Sequence, residues 1–372
     1  SHVASVLASS LRTREGRFNG VAPGVRLVPV RAFDEDGTST YADVIRSIDW
    51  VVRHRDALDI RVLNLSFSAA PRSRYWEDPL NQAVMAAWQQ GIVVVTSAGN
   101  FGPDPLTVSV PGNVPYVITV GAMTDNYTPD DGSDDRLASF SAAGPTTEGF
   151  VKPEIVAPGG HMLGLMPKNA YLSRTYRHLF DGKSYFTMSG TSQAAAVVSG
   201  MVALVLQAAP WLEPDEVKCL LMSTSRPALD GGGELAYSVF QQGAGLVNAF
   251  DAVARASAAT RAAGELSCSN RGLRLDYDLS GAEHYVGRAV PLDGGGYGIQ
   301  GLDGYIWSDG YIGSDGYVWS DGYIWSDGFI WSDGFIWSDG YIWSDGYIWS
   351  DGYIWSDVLA EPAQINVWVD QE

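Results

Sequence analysis

The sequence predicts an α/β fold with a mainly parallel central sheet over residues 1–262. Two observations carry this prediction: apolar runs of strand length recur along the chain, and helical patterns separate them. The strand candidates are residues 26–31, 62–67, 92–97 and 117–120. The helix candidates are residues 42–53, 80–90, 192–208, 213–222 and 246–263, and Pro214 suits a first helical turn.

The charge divides the chain into two unlike parts. Residues 1–288 contain all 24 Lys and Arg together with 29 Asp and Glu, whereas residues 289–372 contain 14 acidic residues and no basic ones. Because no basic patch can neutralise phosphates, we expect no nucleic-acid partner. No apolar run reaches about 18 residues, so we also expect no membrane span.

Two cysteines, Cys219 and Cys268, are too few for a disulfide framework. Cys219 lies in an apolar helical run, which favours a small core residue. The cysteines therefore give no indication of the redox compartment.

Composition divides the chain into four segments: an α/β domain (1–262), a glycine-rich linker (263–300), a hexapeptide repeat (301–357) and a tail (358–372). The repeat is Tyr-Ile-Trp-Ser-Asp-Gly, in which Asp-Gly favours a tight turn and the other residues favour strands. Short hairpins, a stacked solenoid and a low-complexity expansion without a single fold all fit, so we expect a β-type or disordered appendage. Its aromatic residues could contact a surface or carbohydrate, or pack against one another.

Three segments are candidates for chemistry. Ser192 lies between a glycine turn and an apolar helical run, where a nucleophile would meet free N–H groups, although a helix N-cap is the alternative. Asn100 follows a buried strand and could donate to an oxyanion, or simply belong to a turn. The residues expected to hold an extended peptide are Ser66, Phe67 and Ser68, together with Ser97, Ala98 and Gly99.

The order of these motifs resembles the subtilisin family of serine peptidases. Further matching segments are Gly-Val-Ala-Pro at 20–23, the pocket loops at 138–141, 144–145 and 155–159, and a closing Gly-x-Gly-x-x-Asn element at 243–248. The resemblance covers about residues 1–262. It implies a subtilisin-like three-layer fold and a serine endopeptidase that acts on polypeptides by acyl transfer to Ser192, with Asn100 in the oxyanion hole. It also implies an extracellular or cell-surface location.

In the family the catalytic Asp and His precede the serine in the chain. The resemblance implies that both residues would lie upstream of residue 1. Ser-His-Val-Ala at 1–4 aligns with the end of the family's His-Gly-Thr-His-Val-Ala-Gly stretch, so His2 corresponds to the second, non-catalytic histidine. We therefore expect a chain that lacks its N-terminal part and is inactive alone. The alternative is an inactive peptidase-like scaffold that displays the aromatic repeat.

The family resemblance identifies no metal ligand and no certain cofactor in this sequence. The acidic loop at residues 125–135 could bind calcium through oxygen ligands, but solvated loop charge is the favoured interpretation.

Overall fold

The computed structural model describes residues 2–12, 16–34, 37–128, 131–231, 235–259, 288–291, 297–300 and 362–365. The helices are α1 His2–Ala8, α2 Tyr41–Leu58, α3 Pro79–Gln89, α4 Tyr171–Thr175, α5 Thr191–Ala208, α6 Pro214–Thr224, α7 Val239–Gln242 and α8 Ala249–Ala258. The strands are β1 Thr38–Thr40, β2 Val62–Leu65, β3 Phe67–Ser68, β4 Val93–Ser97, β5 Ile118–Thr124, β6 Arg136–Leu137, β7 Ile155–Pro158, β8 Met162–Leu165, β9 Tyr185–Met188, β10 Arg288–Pro291, β11 Tyr297–Gln300 and β12 Pro362–Ile365.

The central sheet is mainly parallel, as predicted. β4 pairs in parallel with β2 and β5, and β7 pairs in parallel with β5, while β6 is antiparallel to β5. Every residue of β4 and β5 is buried. Since both sets of alternating side chains are buried, both faces of these strands are covered by other elements. The predicted α/β fold is confirmed.

Local sequence signals set most helix ends. Thr40 caps α2 by accepting from the N–H of Asp43, and Asp78 caps α3 through the N–H groups of Leu80 and Asn81. Pro214 opens α6 within a capping box. The last predicted helix is shorter than expected: α8 begins at Ala249. The residues before it instead hydrogen-bond to β7, as Val247 N–H does to the carbonyl of Val156 at 3.0 Å.

One strand assignment and one loop assignment from the sequence need correction. Residues 26–31 form no strand, although the run is apolar, because a strand requires a hydrogen-bonded neighbour and no described segment pairs with it. Leu27 is 48% exposed there. Residues 155–159 were expected to be a pocket loop, but residues 155–158 are β7 of the central sheet.

Cys219 is a buried core residue as expected, but its disulfide was not predicted from the sequence. The sequence contains one other cysteine, Cys268, which lies outside the described residues, as do the proposed repeat and most of the linker.

Helix α5 is long and apolar enough to cross a membrane by composition, and it is the one such helix among the described residues. However, 78% of that apolar stretch is buried inside the fold. It packs against β2, β4, β5 and β7, which makes it the central core helix of the domain.

Candidate active site

Ser192 is the second residue of α5, not its cap. The N-cap position belongs to Gly190, so the N-cap alternative for Ser192 is wrong. The Ser192 N–H has no hydrogen-bond partner among the described residues, as expected in the first turn of a helix. The Ser192 hydroxyl donates weakly to the carbonyl of Ser66 at 3.3 Å, and the Ser66 hydroxyl donates to the carbonyl of Ser192 at 3.0 Å.

Asn100 follows the carboxyl end of β4 and faces the start of α5. Its Oδ1 accepts from the N–H of Thr191 at 2.9 Å and from the Thr191 hydroxyl at 2.8 Å. Because two donors contact the same atom, that atom is the amide oxygen and the other end of the side chain is Nδ2. Nδ2 lies beside Gly190, 3.4 Å from the position that a Cβ on Gly190 would take. A donor side chain and a helix N–H therefore lie on the same side of Ser192.

The residues expected to hold a peptide divide into two groups. Phe67 and Ser68 form β3, a strand edge with which β12 pairs. Ala98 and Gly99 are different, because their backbone groups are already used. Ala98 donates to Val120 and accepts from Ser109, while Gly99 donates to the Thr191 hydroxyl at 3.2 Å and its carbonyl also accepts a hydrogen bond. They can line the site but have no free groups to pair with a peptide.

Ser97 and Ser66 support this edge from behind. The Ser97 hydroxyl donates to the carbonyl of Phe67 at 3.2 Å, which joins β3 to the end of β4. The Ser66 hydroxyl also accepts from Asn64 Nδ2 at 2.9 Å. Sequence reasoning missed two features: that Thr191 positions Asn100, and that β1 lies near β3. A threonine next to a serine and a short polar run before a helix are too common to single out.

His2 does not act on Ser192 in this arrangement. Its Nε2 contacts two carbonyl oxygens, of Met162 at 3.1 Å and Phe186 at 2.9 Å, so this nitrogen carries the proton. Its Nδ1 then accepts from Gln193 Nε2 at 3.4 Å. Burial lowers the pKa of His2, while the two carbonyl contacts act in the opposite direction. A neutral His2 therefore holds the residue beside Ser192 in place.

Two other described histidines are also engaged elsewhere. His54 stacks on Trp50 and donates to its carbonyl at 2.7 Å. His161 shares a 2.6 Å hydrogen bond with Thr124 and stacks on Tyr127. Within the described part of the chain, no histidine is hydrogen-bonded to Ser192.

The acidic loop uses its carboxylates locally. Asp131 caps a short 3₁₀ turn at residues 132–134. Asp134 accepts from Asn126 at 3.0 Å and from Thr128 at 2.6 Å. Among the described residues, no group of three or more His, Cys, Asp or Glu side chains is placed to hold a metal ion.

A serine at a helix N-terminus, with a fixed amide beside it and a strand edge leading towards it, is the arrangement of an α/β serine hydrolase. Comparison with known proteins narrows this class. The Subtilase family, a peptidase family, matches residues 1–248, and the chain belongs to this family.

Named relatives are serine proteases. The chain is 40% identical over 258 residues to serine protease AprX of Bacillus subtilis (strain 168), covering 68% of this chain and 57% of AprX. It is 32% identical over 250 residues to subtilisin DY of Bacillus licheniformis, covering 67% of this chain and 74% of the relative. The chain thus spans little more than half of AprX.

Solved structures agree on the fold. The patellamide maturation protease PatA superposes with a TM-score of 0.53 at 28% identity, over 70% of this chain and 84% of PatA. Sphericase superposes with a TM-score of 0.54 at 22% identity, over 67% of this chain and 76% of that structure, and supports the fold alone. The predicted subtilisin-like fold is confirmed.

Proposed function

We propose that this chain carries the nucleophile and the oxyanion hole of a serine endopeptidase. The observation that carries the proposal is the pairing of Ser192, at the N-terminus of α5, with an Asn100 amide that Thr191 holds in one orientation. Polypeptides are the proposed substrates, because the relatives are named proteases and β3 offers an edge for an extended chain.

In the proposed mechanism, Ser192 Oγ attacks the carbonyl carbon of a peptide bond and loses its proton to an imidazole base. Asn100 Nδ2 and the Ser192 N–H donate to the oxyanion that forms. Collapse of the tetrahedral intermediate breaks the C–N bond, and the base returns the proton to the leaving amine. Water then hydrolyses the Ser192 ester by the same steps.

We further propose that the base and the carboxylate that orients it come from polypeptide outside this sequence. His2, His54 and His161 are held by other partners, and no histidine in the described part of the chain is hydrogen-bonded to Ser192. The fold also has room for such a segment. β2 pairs with β4 on one side, and a cavity of about 860 Å³ lies near it, lined by residues that include Leu27, Val30, Ile48 and Val62.

That cavity gives a physical reason for the exposed segment at residues 25–30, which we call the valine-rich segment. Its apolar side chains are a third to a half exposed, Val25 at 37% and Leu27 at 48%. An additional extended chain in the cavity would cover them and would pair with the backbone of residues 26–30, which pairs with no strand in the described part of the chain. We propose that this added strand precedes the proposed base in the longer polypeptide.

We place the protein outside the cytoplasm. Cys219 forms a disulfide, and disulfides persist mainly in oxidising compartments. One relative, from Thermus sp. (strain Rt41A), is named an extracellular serine proteinase. Contact of the repeat with a surface or carbohydrate stays a prediction.

The alternative function is an inactive peptidase-like scaffold. It is favoured, for the chain as given, by the contacts that hold His2, His54 and His161 away from Ser192. The scaffold alternative explains less well why two hydrogen bonds from Thr191 orient Asn100.

The deciding experiment compares this chain with an upstream-extended form, produced with the coding sequence that precedes Ser1. A fluorophosphonate probe should label the extended form at Ser192, and Ser192→Ala should abolish both labelling and peptide hydrolysis. The chain alone should hydrolyse peptides near background. In subtilisin, a family member, loss of one triad member leaves about 10³–10⁴-fold over water, a figure we borrow rather than obtain from this structure. Ser192-dependent turnover by the chain alone would overturn the assignment of the base, and an unlabelled extended form would favour the scaffold.

A further inference from the structure

A short strand from the far end of the chain lies between β1 and β3. β12 pairs antiparallel with β1, aligning Thr38 with Gln364 and Ser39 with Ala363. It also pairs antiparallel with β3, aligning Gln364 with Ser68 and Ile365 with Phe67. The three strands form one sheet in the order β1-β12-β3. We call the space between β1 and β3 the peptide cleft.

The hydrogen bonds of this sheet follow from the neighbours of β1. Asp34 already uses Thr38: its carboxylate accepts from the Thr38 N–H at 2.9 Å, and its own N–H donates to the Thr38 carbonyl at 3.0 Å. The backbone hydrogen bonds between β1 and β12 are therefore formed by the opposed residues Ser39 and Ala363. Successive residues of a strand direct their N–H groups to opposite sides. The backbone hydrogen bonds between β12 and β3 are therefore formed by Gln364 and Ser68.

The direction of β12 brings it towards the nucleophile. β3 leads away from Ser66, whose carbonyl accepts from the Ser192 hydroxyl. β12 is antiparallel to β3, so its register advances from Ser68 to Phe67, towards Ser66. A polypeptide in this position runs along the strand edge and approaches Ser192 with its C-terminal side, the course that a peptide must take to present a bond to this serine.

We propose that residues 362–365 are an intramolecular ligand of the peptide cleft, which excludes other polypeptides while they occupy it. This rests on the proposed function in one respect, namely that the peptide cleft is where a polypeptide substrate binds. The same geometry gives the substrate class of the cleft: an extended chain that contributes at least two residues to pairing with β3 and three to pairing with β1.

The first test traps the register in the full chain. Thr38 and Gln364 are opposite one another outside the hydrogen-bonded pairs, where Cα atoms are about 4.5 Å apart and side chains are closest. Thr38→Cys with Gln364→Cys should therefore form a disulfide under mild oxidation. Thr38→Cys with Ala363→Cys is the control, since Ala363 is the register partner of Ser39 and not of Thr38. Mass spectrometry of non-reduced digests should show the first crosslink in large excess.

Equal crosslinking of the two pairs, or none in either, would overturn the placement of β12. Both variants share the change at Thr38, so any folding defect from the loss of its hydroxyl affects them equally.

The second test measures whether the cleft is blocked. The probe is a fluorescein-labelled peptide with the sequence of residues 359–370, and its binding is followed by anisotropy. A chain ending at Val358 should bind it about tenfold more tightly than the full chain, because a tethered ligand competes at high effective concentration. Gln364→Pro should also bind more tightly, since proline removes the N–H that donates to Ser68. Gln364→Ala keeps that N–H and should match the full chain.

Equal affinity in all four proteins would overturn the proposal, and so would failure of the shortened chain to bind the peptide at all. Neither test requires catalysis. A negative result in these two tests would contradict the occupied cleft but would not affect the Ser192 labelling experiment. Conversely, an unlabelled Ser192 would contradict the proposed function but not the occupied cleft.

Discussion

Thr191 donates two hydrogen bonds to the same oxygen of Asn100, from its N–H at 2.9 Å and its hydroxyl at 2.8 Å. Thr191 directly precedes Ser192 in α5. The proposed nucleophile and the proposed oxyanion donor are therefore positioned by the same first turn of α5, and Thr191 can be tested apart from either.

In the upstream-extended form, Asn100→Ala should lower kcat by about 10²–10³-fold with little change in KM, because the donor acts on charge that exists only in the transition state. The magnitude is that of the oxyanion-hole asparagine of subtilisin, a member of the same family, and is not obtained from this structure. Steady-state kinetics on a peptide substrate measure it. An effect confined to KM would show that Asn100 is not the oxyanion donor.

Thr191→Val should also lower kcat, by about tenfold, since one of two bonds that orient Asn100 is lost while the Thr191 N–H remains. Thr191→Ser keeps a hydroxyl and should recover most of the rate. The double variant with Asn100→Ala should be no slower than Asn100→Ala alone, because Thr191 acts through Asn100. A further loss in the double variant would assign Thr191 a role of its own.

The valine-rich segment should respond to the upstream polypeptide. In the chain alone, Leu27 is 48% exposed, so Leu27→Ser should change the free energy of unfolding by less than about 0.5 kcal/mol. If an added strand covers Leu27 in the upstream-extended form, the same change should cost about 1.5–3 kcal/mol there. Urea unfolding of the four proteins measures both. Equal costs in the two forms would contradict the proposed added strand.

Much of the domain followed from its sequence, because both the fold and the site use local signals. Buried parallel strands give continuous apolar runs, as in β4, and caps such as Asp78-Pro79 mark helix starts. Ser192 and Asn100 could be named because each follows a strand or turn whose type is readable from neighbouring residues.

The errors concern features that depend on partners distant in sequence. Residues 26–31 have the composition of a strand, but pairing decides whether they form one. The pairing of β12 with β1 and β3 joins segments some 300 residues apart and has no composition signal. Lys152 and Glu154 lie just before residues 155–159, which were expected to be a pocket loop, and their burial could not be predicted from charged residues near a proline.

Those two residues belong to a buried ionic cluster that should dominate stability. Glu154 Oε1 lies 2.6 Å from Lys152 Nζ and 2.9 Å from Lys218 Nζ, and Oε2 accepts from the N–H of Thr119 at 2.7 Å. Glu154→Gln would leave two buried ammonium groups without their counter-charge. We expect a loss of about 3–5 kcal/mol in the free energy of unfolding.

The matched control is Asp49→Asn, which breaks an exposed pair with Arg53 and should cost less than about 1 kcal/mol. Urea denaturation measures both changes. A loss at Glu154 no larger than that at Asp49 would show that the cluster is solvated in solution.

Asp78 should give stability a measurable pH dependence. Burial raises the pKa of its carboxyl, although the N–H groups of Asn81 and Leu80 and the hydroxyl of Tyr41 partly oppose this. Because the pKa is higher in the folded state than in the unfolded chain, the folded protein binds the proton more tightly. As pH falls from neutral through the raised pKa towards the ordinary value of 3.8, this group therefore adds stability; as pH rises it removes it.

Asp78→Asn keeps an acceptor for the cap of α3 but cannot titrate, so it removes only the pH-dependent part. Urea unfolding of both proteins at several pH values between about 7 and 4 gives the difference in stability, in which contributions from all other groups cancel. We expect the stability of the native chain relative to the variant to increase steadily as the pH falls. A difference that stayed constant across this range would mean that Asp78 titrates as it does in the unfolded chain, and one that decreased would mean that the hydrogen bonds from Tyr41 and the helix outweigh burial.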